Sequence, residues 1–214
     1  MEGGSRVCPS SLHALGFLLI LLTISANVKT SSATAKGDPH SVKPSTEFIR
    51  TSCDMTRYPQ LCFKSLSSHA TDIQKSPKHL AQVALRVSLE AARSTSAMLL
   101  KLPAGRHLKP REAGATSDCI KTVGDSIDQL QQSLKEMGRL SGPEFQMRMN
   151  NIKTWVTAAM TDDDTCMDGF AGKAMDGEVK AMVRSRIVHV ARLTSNALAF
   201  ISNLPASSNQ DKSP

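Results

Sequence analysis

The chain has 214 residues and a formal net charge of +7, from 26 Lys and Arg against 19 Asp and Glu. This length favours one domain of ordinary size. The basic residues are scattered along the sequence rather than clustered, which argues against a dedicated groove for a polyanion.

The apolar run LGFLLILLTISA, residues 15–26, follows Arg6 and precedes several small residues. The run is too short to span a bilayer comfortably, and its shape is typical of a secretory signal peptide. We therefore predict a signal peptide over residues 1–26, with cleavage as late as residue 35 or an uncleaved anchor as alternatives. No later apolar run is long enough to cross a membrane. After cleavage we expect a secreted protein with no membrane contact and no nucleic-acid partner.

Residues 27–44 are rich in Ser, Thr, Lys and Pro, which predicts a flexible leader. The predicted folded domain covers residues 45–204, and residues 205–214 are predicted to form a disordered tail. The domain opens with two short apolar patterns on either side of Pro59. Because a proline cannot occupy a helix interior without breaking it, these patterns predict a helical hairpin.

Four long segments then show apolar residues at the three-and-four spacing of amphipathic helices. Strand-like alternation is absent, so the predicted fold class is all-α, an antiparallel four-helix bundle preceded by the N-terminal hairpin. The apolar stripe of the first long helix is predicted to be Leu80, Val83, Val87, Ala91 and Met98. The segments are bounded by proline and glycine, and run from Ser76-Pro77 to Pro103, Pro110 to Gly138, Pro143 to Cys166 and Gly177 to Pro205.

The predicted mature chain keeps four of the five cysteines: Cys53, Cys62, Cys119 and Cys166. An even number in a secreted chain predicts two disulfides, which allows three pairings. The nine-residue separation favours Cys53–Cys62, which leaves Cys119–Cys166. A zinc site is the alternative, but the sequence has no CxxC pair and no histidine at ligand spacing.

Three consecutive aspartates, residues 162–164, stand just before Cys166. Three carboxylates in a row cannot all point one way on a helix, which argues against a metal cage. We therefore expect a solvated turn or helix end here, with no metal.

Enzyme motifs are missing: the sequence contains no GxSxG, HExxH, P-loop or glycine-rich dinucleotide turn. The paired carboxylates Asp125 and Asp128 would suit a glycosidase. Aromatic residues form only 4% of the chain, however, and sugar-cleaving sites usually need aromatic platforms. We expect a protein that is not an enzyme, needs no cofactor, and presents a rigid face to a partner.

Four segments in order carry a family resemblance: FIRTSCDMTRYPQLCFKSL, SDCIKTVGDSIDQL, NNIKTWVTAAMTDDDTCMDGF and LTSNALAFI. Together they resemble the plant invertase/pectin methylesterase inhibitor family over residues 46–204. The resemblance implies the same bundle and the same disulfide pairs. It also implies an apoplastic cell-wall protein that blocks a cell-wall enzyme.

The branch of the family is indicated by two stretches. TWVTAAMTDDDTC resembles the methylesterase inhibitors, which cap the pectin-binding cleft with the second and third long helices. Invertase inhibitors instead carry a Pro-Lys-Phe motif, and this chain has Pro143-Glu144-Phe145 in a comparable place. The predicted partner is pectin methylesterase, with pectin itself as a further candidate ligand. The alternatives are an inhibitor of acid invertase, and a basic pectin-binding wall protein without inhibitory activity.

The resemblance also implies a contact face made of residues from the second and third long helices. Their expected role is to form hydrogen bonds and charge contacts in the enzyme's cleft. The predicted partner-binding residues are Asp125, Asp128, Thr154, Thr165 and Asp168.

Overall fold

The computed structural model describes residues 39–105 and 107–205, and the predicted signal peptide lies outside these ranges. The described residues form helices and turns without a strand, so the predicted all-α class is confirmed. Short 3₁₀ turns occur at Ser67–His69 and Lys173–Met175. The α-helices are α1 (Pro39–Asp54), α2 (Pro59–Leu66), α3 (Ala70–Ile73), α4 (Pro77–Gly105), α5 (Pro110–Gly138), α6 (Phe145–Asp168) and α7 (Glu178–Ser202).

Helices α1 and α2 form the predicted N-terminal hairpin, which the Cys53–Cys62 disulfide closes. Pro59 starts α2, where its missing N–H costs no helical hydrogen bond. Helix α1 begins at Pro39, so it also includes residues 39–44 of the predicted leader. A buried amide fixes the hairpin to the bundle: Asn196 of α7 accepts a bond from the Tyr58 N–H at 3.1 Å and donates one to the Tyr58 carbonyl at 3.0 Å.

Helices α4 to α7 form the predicted four-helix bundle. Helix α5 packs against α4 and α6, and α7 packs against α4 and α6, so α5 and α7 occupy diagonal positions. Helix α2 lies against α4 and α7, on the side of the bundle away from α5. The second disulfide joins Cys119 of α5 to Cys166 of α6, as predicted, and both cysteines are buried. This bond joins the N-terminal third of α5 to the C-terminal end of α6, as expected for an antiparallel pair.

The predicted end of α4 before Pro103 is wrong, because α4 continues to Gly105 with Pro103 inside it. Proline removes one hydrogen bond to the preceding turn and crowds that turn. Here the proline stands in the last turn, so only the end of the helix is affected. The turn between α5 and α6 contains Gly142 at φ +69°, a left-handed conformation that glycine adopts without strain.

The described helices include none that is both long enough and apolar enough to span a bilayer. Among the same residues, no group of three or more His, Cys, Asp and Glu side chains is arranged to hold a metal ion.

Candidate partner-binding face

The five predicted contact residues are all solvent-exposed on two adjacent antiparallel helices. Asp125 and Asp128 are three residues apart on α5, so they are neighbours on its surface. On α6, Thr165 and Asp168 lie beside the disulfide end, whereas Thr154 lies about 16 Å further along the helix axis at 1.5 Å per residue. The structure thus places these residues on one pair of helices, spread along its length.

Threonines form an outward row on α6. Thr154, Thr161 and Thr165 follow at spacings of seven and four residues, which places them on the same side of a helix. Each hydroxyl donates to the carbonyl four residues earlier, at 2.9, 3.2 and 2.8 Å. Because the protons are used within the helix, the row offers a partner methyl groups and hydroxyl lone pairs. Thr161 was missed from the sequence, although its spacing from Thr154 could have identified it.

Carboxylates are concentrated on α5 and on both sides of the threonine row of α6, in a protein whose net charge is positive. We define this acidic face by six aspartates of α5 and α6, which are exposed except for the half-buried Asp162. Lys121 is an exposed cation among them. Burial raises the pKa of Asp162, and the nearby charge of Asp125 raises it further, which shows that the two helices bring like charges together. The six residues are Asp118, Asp125, Asp128, Asp162, Asp164 and Asp168.

Residues 162–164 lie near the C-terminal end of α6, so the alternative of a helix end is correct and that of a turn is wrong. The expected solvation is wrong for Asp163, which is fully buried, whereas Asp164 is exposed. Asp163 follows Ala159 by four residues and precedes Cys166 by three, so it continues the buried stripe of α6. The helical spacing in the sequence therefore indicated that Asp163 is buried. Three consecutive charged residues instead suggested a solvated segment.

Asp163 lies under the acidic face as an unpaired buried acid. Burial raises its pKa to about 8, the Ser126 hydroxyl opposes this shift, and the charges of Asp162 and Asp164 add to it. The Ser126 hydroxyl lies close enough to the Asp163 carboxyl to lower its pKa, but neither side chain forms a hydrogen bond with any described residue. Below about pH 8 the Asp163 side chain is therefore a neutral acid inside the α5–α6 interface.

The Pro143-Glu144-Phe145 segment lies in the turn at the other end of these helices. Glu144 forms an ion pair with Arg148, which also contacts Glu136 at 2.7 Å. Phe145 is half-buried and packs against the hydrophobic core. In this arrangement, both side chains are engaged within the protein.

Comparison with known proteins identifies the family. The family model described as plant invertase/pectin methylesterase inhibitor matches residues 47–200. A "21 kDa protein" from Daucus carota is 47% identical over 78% of this chain and 88% of its own length. "Pectinesterase inhibitor 9" from Arabidopsis thaliana is 44% identical over 86% of this chain and 91% of its own.

Solved structures support the fold. The crystal structure of a mutant pectin methylesterase inhibitor from Arabidopsis matches with a TM-score of 0.60 at 21% identity, covering 74% of this chain and 98% of that one. The helical bundle, the disulfide pairs and the family match over most of the chain agree. This chain belongs to the plant invertase/pectin methylesterase inhibitor family.

Proposed function

We propose that the protein is a secreted inhibitor of pectin methylesterase that caps the enzyme's pectin-binding cleft with the outward surfaces of α5 and α6. The observation that carries this proposal is 44% identity to a protein named pectinesterase inhibitor over most of both chains. A second relative, "Pectinesterase inhibitor 11" from Arabidopsis thaliana, is 41% identical over 86% of this chain.

The surface of α5 and α6 has the properties that such a cap needs. A disulfide and a long antiparallel contact hold the two helices together, so little conformational entropy is lost on binding. The acidic face favours approach to a basic rim on the partner. The threonine row supplies hydrogen-bond acceptors between the charges. Inhibition then follows from exclusion: pectin cannot enter a cleft that the two helices cover.

Inhibition of acid invertase is the second candidate, since the family includes both activities. The Pro143-Glu144-Phe145 segment argues against it in two ways. Glu144 reverses the charge of the lysine in the Pro-Lys-Phe motif and is held by Arg148. Phe145 packs against the core and would have to leave it to enter an active site. A basic wall protein without inhibitory activity is the third candidate.

We expect the purified mature protein to inhibit pectin methylesterase and to leave acid invertase unaffected. The test assays both enzymes with the same inhibitor preparation, with heat-denatured, reduced inhibitor as the control. Inhibition of invertase with unchanged methylesterase activity would reverse the branch assignment. If the protein inhibits neither enzyme, the result would favour the third candidate, a wall protein without inhibitory activity.

The double substitution Asp125→Ala, Asp128→Ala is expected to raise the inhibition constant at least tenfold, equivalent to about 1.4 kcal/mol. Removing one partner of a buried interface charge pair typically costs about 2–5 kcal/mol of binding. The melting temperature should stay near that of the parent, because exposed side chains away from packing contribute within about 0.5 kcal/mol.

The matched control for this variant is Glu90→Ala, Asp176→Ala. It removes the same charge from exposed positions on α4 and in the loop before α7. The control should inhibit like the parent. Equal inhibition constants for the two double variants would remove Asp125 and Asp128 from the contact face.

A further inference from the structure

Basic residues that are far apart in the sequence meet on the side of the bundle formed by α2 and α7. We call this group the basic strip: Arg57, Lys64, Arg186, His189 and Arg192. All five side chains are exposed. Their sequence positions span more than 130 residues, so the scattered pattern of basic residues along the sequence does not show this group.

Helix geometry aligns the α7 members of the strip. Arg186, His189 and Arg192 are spaced three residues apart, so consecutive members are neighbours on the helix surface, about 4.5 Å apart along the axis. Partial burial lowers the pKa of His189, and the charges of Arg186, Arg192 and Lys64 lower it further. Arg186, Arg192 and Lys64 are all cations, so the electrostatic potential is positive along this side of α2 and α7.

Arg57 joins the strip at the aromatic ring of Tyr58. The Arg192 guanidinium lies 5.2 Å from the centre of the Tyr58 ring, and the Arg57 guanidinium lies 5.7 Å from it. The buried Asn196 holds the Tyr58 backbone with two hydrogen bonds. The two arginines are thus brought to the same ring by a defined contact between the hairpin and α7.

The cations of the strip have no carboxylate partner among the described residues. The ion pairs in residues 39–105 and 107–205 use other cations, such as Arg50 with Glu47, Arg86 with Asp72, and Arg148 with Glu136 and Glu144. A group of unpaired cations, two of which lie beside an aromatic ring, is suited to an anionic ligand. Guanidinium groups bind carboxylates with two parallel hydrogen bonds, which favours a ligand that presents carboxylates in series.

We propose that the basic strip binds a linear acidic polysaccharide, the de-esterified form of pectin, at a surface separate from the enzyme-binding face. The choice of polysaccharide rests on the proposed function. A methylesterase converts neutral methyl esters into carboxylates, so its inhibitor would meet a polymer that carries one carboxylate on each hydrolysed sugar. Helix α7 is diagonal to α5, and the strip therefore lies away from Asp125 and Asp128. The protein then binds enzyme on one side and the enzyme's product on the other.

The test measures binding of the purified mature protein to polygalacturonate and to fully methyl-esterified pectin at low salt, without any enzyme. The parent should bind polygalacturonate at least tenfold more tightly than the esterified polymer. The charge reversal Arg186→Glu, Arg192→Glu should weaken polygalacturonate binding at least tenfold. The milder Arg186→Gln, Arg192→Gln should give an intermediate loss with an unchanged melting temperature.

The matched control is Lys101→Glu, Lys173→Glu, which changes the net charge equally at two exposed positions outside the strip. It should bind polygalacturonate within about twofold of the parent. An equal loss in both variants would overturn the proposal, because net charge alone would then explain binding. Absence of parental binding, or tighter parental binding to double-stranded DNA than to polygalacturonate, would overturn it as well.

Methylesterase inhibition by the same variants separates this proposal from the proposed function. Charge reversal in the strip should leave inhibition of the enzyme, assayed on a short soluble methyl ester, within about twofold of the parent. A strip variant that loses inhibition would contradict the separation of the two surfaces. A parent that binds polygalacturonate but does not inhibit would support the strip and contradict only the proposed function.

Discussion

Replacing Asp163 with Asn is expected to remove the fall in stability that ionisation of this carboxyl causes between about pH 4 and pH 8. The ordinary pKa of the carboxyl is 3.8, and burial raises it to about 8 in the folded protein. Within this window the folded state keeps a proton that the unfolded state has released. The free energy of unfolding of the parent therefore falls as pH rises, by about 1.4 kcal/mol per pH unit for one proton. For Asp163 alone, the fall in the free energy of unfolding across this window is about 5 kcal/mol.

The measurement is urea unfolding of the parent and of Asp163→Asn at 25 °C from pH 4 to pH 9. The two proteins should have similar stability near pH 4, and the variant should be the more stable one above pH 8. Asp164→Asn is the matched control, because Asp164 is adjacent but exposed. Its stability should fall across the same window as that of the parent, by a smaller amount, because the Asp164 charge contributes to the raised pKa of Asp163. A parent whose stability does not fall across this window relative to Asp163→Asn would show that Asp163 ionises normally.

Removal of the Cys119–Cys166 disulfide by substitution of both cysteines with Ala is expected to destabilise the protein by about 4 kcal/mol. The bond closes a sequence separation of 47 residues, and the entropy of the unfolded chain rises with loop length when the crosslink is lost. Removal of Cys53–Cys62, which closes a separation of nine, should cost about 2.5 kcal/mol in the same way.

Chemical denaturation of the parent and the two double variants gives the comparison. All four cysteines are buried, so each pair of substitutions also removes packed sulfur atoms, and the difference between the variants isolates the loop length. The Cys119→Ala, Cys166→Ala variant should unfold at the lowest denaturant concentration. The reverse order would mean that the hairpin crosslink, rather than the α5–α6 crosslink, dominates the stability of the bundle.

The four-helix bundle could be predicted from the sequence because apolar spacing and proline positions indicate each helix from neighbouring residues alone. In α7 the predicted stripe Val179, Val183, Ile187 and Val190 is buried as expected. In α4 the stripe was only partly right, since Val87, Ala91 and Met98 are half-buried whereas Leu85, Leu89 and Leu99 are fully buried. Helix α4 contacts α5, α7 and the hairpin, so it buries a wider surface than one stripe.

Only part of the candidate partner-binding face could be predicted from the sequence. Spacing within one helix could relate Asp125 to Asp128, but the proximity of Asp162 to Asp125 depends on how α5 and α6 pack. The burial of Asp163 follows the helical period, yet a charged residue in a core stripe contradicts the usual preference of carboxylates for solvent. The place of Arg57 beside Arg192 in the basic strip depends on the Asn196 contact with Tyr58, which links positions 138 residues apart.

The central claim is that α5 and α6 cover the cleft through which pectin enters the methylesterase. Steady-state kinetics of the enzyme at several fixed inhibitor concentrations tests this claim most directly. A cap over the substrate cleft predicts competition: the apparent KM for pectin rises with inhibitor concentration while kcat stays constant, and saturating pectin restores full activity. A fall in kcat with an unchanged KM would contradict the account, because the inhibitor would then bind away from the cleft and leave substrate access open.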